Sequence, residues 1–240
     1  MKKLILSLFM AVTASVAMAQ PAAGTFSIIP RVGVSIANLP NDQIYTADGL
    51  LSGVGKAMSP HNKAGFMGGL DVDYQFTDNL SVSLGALYVQ QGCRYDNNSD
   101  VEKDAAGNTV KGSGFSNIST QLHYIQVPLM LNCYIAQDFA VKVGVQLGFP
   151  VSGKTKYDEA KYVKDDDGNM VPGKPERTEV NLNSTLSKVT FSVPVGLSYE
   201  FANVILDARY NIGFTKYQNV KDMDSKNKVF MFSAAYRFRL

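Results

Sequence analysis

His61, His123 and the acidic run "KDDDGN" (164–169) are the side chains of this 240-residue chain whose types could bind a metal or move a proton. The two histidines have no third ligand at metal spacing, so both read as surface or interface residues. His123 beside a Ser of a neighbouring loop could serve a membrane-embedded lipid hydrolase or acyltransferase, but that chemistry needs a carboxylate to support the base, and no triad pattern is present. "KDDDGN" fails as a calcium loop at both ends, where an acidic residue would be needed at Val163 and a Glu at Lys174. A solvated turn is expected there instead. "GFMGG" (65–69) belongs to a strand and lacks the helix that follows a phosphate-binding loop. Cys93 and Cys133 are too few for a disulfide scaffold. The chain is therefore expected to carry no catalytic residue, no metal site and no cofactor.

The elements that would position such residues are strands. In "FAVKVGVQLGF", Phe139, Val141, Val143, Val145, Leu147 and Phe149 share one face, and Ala140, Lys142, Gly144, Gln146 and Gly148 share the other. A soluble fold would turn the greasy face into a core, whereas a membrane barrel turns it into lipid and lines its interior with the polar face. The amino terminus narrows the choice. Lys2 and Lys3, an apolar run from Leu4 to Met18 and the pattern Ala17-Met18-Ala19 read as a secretory signal peptide, residues 1–19, with cleavage expected before Gln20. The run is short for a membrane span and is followed at once by Pro21 and Gly24, and no Cys follows the cleavage site to carry a lipid. Residues 20–240 then form one domain. Of 23 Lys and Arg, removal of Lys2 and Lys3 leaves 21 against 21 Asp and Glu, a balance that excludes the basic stripe a nucleic-acid partner requires.

The two-residue period recurs over eight segments, at about 26–39, 63–76, 80–95, 122–135, 139–155, 188–201, 204–214 and 228–240. Short connections ("TDN", "AQD", "AN") alternate strictly with long polar ones at about 40–62, 96–119, 156–186 and 218–226. That alternation, with an even strand count, predicts an all-β fold, an eight-stranded antiparallel up-and-down transmembrane β-barrel with both mature termini periplasmic. A secreted lipocalin-like barrel would need its polar faces outside, yet these faces are rich in Gly and Ser, which suit a crowded lumen. Pro128 and Pro194 cannot donate to a sheet ladder, and in a closed wall they are expected to mark bulges.

Parity also places charge inside. Arg31, Lys142, Arg209, Arg237 and Arg239 are expected to point into the periplasmic half of the lumen together with Asp71, Asp73, Glu200 and Asp207. Arg31 and Arg237 become neighbours across the closing seam, with Asp71 and Asp73 on the far side of Arg31 and Asp207 beside Arg237. Opposite charges in a narrow lumen should pair, because an unpaired buried charge is costly.

"HYIQVPLMLNCY" (123–134) and the terminal "AAYRFRL" (234–240), with the signal peptide and eight strands, resemble the PorT-like outer-membrane β-barrel proteins. The family's fourth-strand pattern is matched by Tyr124, Val127, Pro128, Leu129 and Leu131. The chain departs from such barrels in ending on Leu240 rather than Phe, although Phe238 keeps the outward parity. The resemblance implies a Gram-negative-type outer membrane, contact with its lipid, assembly by the barrel-insertion machinery, and an envelope or secretion protein as partner. The expected function is a structural or interaction module acting through the extracellular loops. A narrow channel and a lipid-modifying enzyme are the alternatives.

Overall fold

A computed structural model describes residues 22–38, 60–217 and 226–240. These hold twelve strands: β1 (Phe26–Asn38), β2 (Pro60–Thr77), β3 (Leu80–Tyr95), β4 (Asn98–Lys103), β5 (Thr109–Ala136), β6 (Phe139–Lys164), β7 (Met170–Pro172), β8 (Glu176–Asn181), β9 (Thr190–Phe201), β10 (Val204–Lys216), β11 (Lys226–Tyr236) and β12 (Phe238–Arg239). Eight of them close an antiparallel ring in the order β1-β2-β3-β5-β6-β9-β10-β11, with β11 pairing back onto β1. β12 continues β11 along β1. A closed ring leaves no unpaired edge at membrane depth, the condition for a sheet in lipid.

Burial settles which face meets lipid. Val32 and Leu206 are 59% and 58% exposed, while Arg31 and Asp71 on the opposite faces of their strands are 3% and 2% exposed. A water-soluble barrel would show the reverse. The outer wall is an apolar belt, as a bilayer requires, and the strands' charged side chains at this depth point inward.

Tight turns join β2 to β3, β5 to β6 and β9 to β10. The last is a two-residue turn in which Ala202 and Asn203 both have positive φ (49° and 66°), the geometry that matches strand twist. Both described termini lie at this end, where the Leu240 amide donates to the Phe26 carbonyl at 2.9 Å.

At the other end the wall continues past the belt. β5 runs for 28 residues and β6 for 26, far more than a crossing needs. Their outer halves pair with β4, β7 and β8. The segments expected to be the long loops 96–119 and 156–186 are thus largely strand. The loops expected at 40–62 and 218–226 fall mostly outside the described residues. "KDDDGN" is indeed a turn: the Asp165 carboxylate accepts from the amides of Asp167 (3.1 Å) and Asn169 (2.7 Å), and Gly168 supplies φ 84°. "DAAGN" (104–108) closes the β4–β5 hairpin in the same way, with Asp104 accepting from Ala106 and Asn108.

The proline expectation is corrected. Pro128 and Pro194 are not bulges, because the register on either side of them is unbroken. Each sits where one ladder lapses for two residues, and that register sets Pro128 opposite Gly85 and Pro194 opposite Gly144. A Cβ at Gly85 would run into the Pro128 ring and the Asp71 carboxylate. The missing side chain at Gly85 accommodates the Pro128 ring.

Candidate functional site

Among the described residues, three layers of side chains fill the lumen. Nearest the chain termini is a layer of charge. Above it lie Ala37, Met67, Leu87, Val89, Val229 and Met231, and the outer mouth holds a cluster including Cys93, Phe115, Leu122, Tyr124, Tyr157 and Tyr217. Between these apolar layers Asn227 donates to Gln91 (2.8 Å) and to the Tyr124 hydroxyl (3.2 Å), beside a cavity of about 20 Å³, room for a single water.

The charged layer divides into two groups. In the upper one, the Arg31 guanidinium grips Asp71 through Nε (2.9 Å) and Nη2, and its Nη1 donates to Ser233 Oγ (3.0 Å) and lies 3.5 Å from Asp207. Asp207 also accepts from Lys142 Nζ and from Arg209 Nε, both at 2.7 Å, and Arg209 reaches Asp71 at 3.6 Å. Three cations thus surround two carboxylates. In the lower group one cation serves two carboxylates: Arg237 donates to Asp73 (2.8 Å), to both oxygens of Glu200 (3.0 Å) and to none of the upper acids, its remaining bond going to the Tyr134 hydroxyl (2.9 Å). Ser81 and Asn132 complete the shell of Asp73 at 2.9 and 3.0 Å. Every strand of the ring contributes a side chain, and the eight ions balance four against four.

Eight of the nine side chains assigned to the lumen meet here. Arg239 does not: it stands opposite Ser27 near the end of the wall and is exposed at the mouth. Partner choice also differs from the expectation. Asp207 lies opposite Ser233 and not beside Arg237, and Asp73 goes to Arg237 rather than to Arg31. Inward parity was readable, but the rung on which each charge stands depends on strand stagger. Tyr134, Ser81 and Asn132 were missed as members, although each has the inward parity of its strand.

His123 faces the outer surface. Its Nδ1 lies 2.6 Å from the Tyr88 hydroxyl, and the two rings stack with centroids 5.9 Å apart. Its charged neighbours are Lys154 and Lys63, which with burial push the imidazole below its ordinary value. Among the described residues no carboxylate is bonded to it. His61 bonds Asp96 at 3.1 Å in an exposed pair. Cys93 is buried in the lumen and Cys133 half-buried on the lipid face, and the two are not joined in a disulfide.

Residues 18–219 match the family described as outer membrane protein beta-barrel domain. No curated relative matches the chain. Similar solved structures include Ail, the attachment invasion locus protein of Yersinia pestis, at 16% identity over 90% of this chain and 99% of that one, with a TM-score of 0.40. Neisserial surface protein A is 14% identical over 90% and 97%, with a TM-score of 0.40. OprG from Pseudomonas aeruginosa is 10% identical over 92% and 99%, with a TM-score of 0.39. With a closed ring, an apolar outer belt and a family match spanning most of its length, the chain belongs to the outer membrane β-barrel domain family and is a small outer-membrane β-barrel protein.

Proposed function

We propose that the protein is a non-enzymatic interaction module of the envelope, in which the barrel is a rigid anchor and the sheet extension beyond the lipid belt is the working surface. The observation that carries this reading is the unequal finish of the two ends. One end closes in tight turns, whereas the other raises β5 and β6 well past the belt and adds β4, β7 and β8 to them. Surfaces held by a rigid scaffold are where binding residues collect. In this reading both mature termini are periplasmic, a signal peptide of residues 1–19 directs export, and the barrel-insertion machinery assembles the chain. The resemblance to PorT-like proteins supports a partner in secretion or envelope assembly, a protein, surface polymer or lipid-bound sugar meeting the extension from outside.

Transport fits the filled lumen poorly, since an eight-stranded barrel is just wide enough for its own side chains. The test is photo-crosslinking in intact outer membranes from positions on β4 and β8, compared with positions in the tight turns. Partners captured through the extension support the proposal. Capture through the turns alone contradicts it.

A further inference from the structure

On the outer wall the apolar belt ends at Ile125 on β5 and Val151 on β6, and beyond it stand Arg94 on β3 and Lys154 and Lys156 on β6. Sheet pairing sets them side by side. Gln121 stands between Gly92 and Lys154, and Ser119 stands between Arg94 and Lys156. Neighbouring strands are about 4.8 Å apart, so the cations on either side of β5 flank a gap of about 10 Å, the width of a phosphorylated headgroup. His123 lies one rung nearer the belt, opposite Gln90 and Ser152. Gly92 leaves the middle of the β3 side open. It has φ 144°, and a Cβ there would strike the Thr120 carbonyl, to which Lys63 Nζ donates at 3.4 Å.

Among the described residues, a single acid is bonded to two of these cations. Glu179 is shared between Lys154 (3.1 Å) and Lys156 (2.8 Å). Asp96 holds His61, and Asp158, one level further out, accepts from Asn117 at 2.8 Å and faces Arg177 at 3.7 Å. Arg94 has no ion-pair partner among the described residues. The crowding is felt by the groups themselves: burial, then Arg94 and Lys156, bring the Lys63 ammonium down to about 8.

We propose that Arg94, Lys154 and Lys156, with Gln121 and Ser119 between them, form a docking site for the phosphorylated headgroup of an outer-leaflet lipid. A lipid is favoured over a soluble phosphate by placement. The patch lies on the outside of the wall and runs straight into the belt, so acyl chains attached to a bound headgroup rest on Ile125 and Phe149 below it. Basic groups at this level draw anionic headgroups by charge complementarity. The assignment to the outer leaflet rests on the orientation given above, with the sheet extension outside the cell.

The test uses the full mature chain in nanodiscs of phosphatidylcholine with and without a minor fraction of phosphatidic acid, with native mass spectrometry counting the lipids that stay bound. Wild type is expected to retain phosphatidic acid in preference to phosphatidylcholine. The combined Arg94→Gln, Lys154→Gln, Lys156→Gln variant is expected to lose at least about tenfold of that preference. The Arg94→Lys, Lys154→Arg, Lys156→Arg variant keeps it, and circular dichroism confirms that both variants are folded. Equal retention of the two lipids by wild type, or an unchanged preference in the glutamine variant, overturns the site. Competition by inorganic phosphate as strong as by the lipid overturns the lipid assignment. Symmetric discs read the site in either orientation. The orientation is read separately, by labelling an Ala105→Cys variant on intact cells with an impermeant maleimide.

Discussion

Removing Arg237 should damage the barrel more than removing any upper cation, because the two charge groups are unequally supplied. Arg237 is the cation bonded to both Asp73 and Glu200, and its side chain and that of Asp73 are each 3% exposed. Arg237→Ala leaves Glu200 without its two bonds and Asp73 with only the neutral donors Ser81 and Asn132 among those described. Breaking a buried pair from one side costs about 3 to 5 kcal/mol. In the upper group Lys142→Met removes one of three cations facing two carboxylates, and Asp207 keeps Arg209 at 2.7 Å and Arg31 at 3.5 Å. Losing one of several partners should cost no more than about 1 to 2 kcal/mol. The assay is reversible denaturant unfolding in lipid or detergent, followed by far-ultraviolet circular dichroism because the chain has no Trp. If Arg237→Ala lies within 1 kcal/mol of wild type, an estimate set against the cost of a one-sided break, or if Lys142→Met proves equally harmful, the lower mouth is hydrated and the sealed charge layer is refuted.

Mass analysis of the amino terminus of protein taken from outer membranes should show a chain starting at Gln20, and an intact Met1 would contradict the export reading. A non-reducing peptide map should show Cys93 and Cys133 unlinked, with Cys133 reacting with a membrane-permeant maleimide before unfolding and Cys93 after it. Hydrogen bonds from Lys156 and then Lys154 hold the Glu179 carboxyl below its ordinary value. A depressed folded value means that this contribution is present above the unfolded titration range and is lost as pH falls through the folded one. An NMR titration should therefore place Glu179 below a free Glu, and Lys156→Gln should move it back up; an unmoved midpoint would contradict the pairing.

How much was legible follows from what lipid demands of a sequence. Where the wall crosses the belt, each outward position must be apolar, so the alternation in β6 from Phe139 to Phe149 marks strand and face together. The same requirement made the inward parity of Arg31, Asp71 and Arg209 readable, and it explains why eight of nine lumen charges meet. Beyond the belt the demand lapses. "TVKGSGFSN" (109–117) has water on its outer side, shows no clean alternation and reads as loop although it is paired with β4 and β6. Stagger between strands is likewise unwritten in any single strand, so Asp207 could be assigned to the lumen but not to Arg31, Lys142 and Arg209. Pro128 needed a partner's sequence to be understood, since Gly85 on the adjacent strand accommodates its ring.

Single-channel recording of the purified mature protein in planar bilayers tests the central claim most directly. Three stacked layers, of charge, aliphatic side chains and tyrosines, fill the described barrel. The account predicts a flat baseline at every applied potential, for wild type and Lys142→Met alike. A stable conductance of solute size in the wild-type protein would contradict it and make the lumen, not the outer sheet, the working part of the molecule.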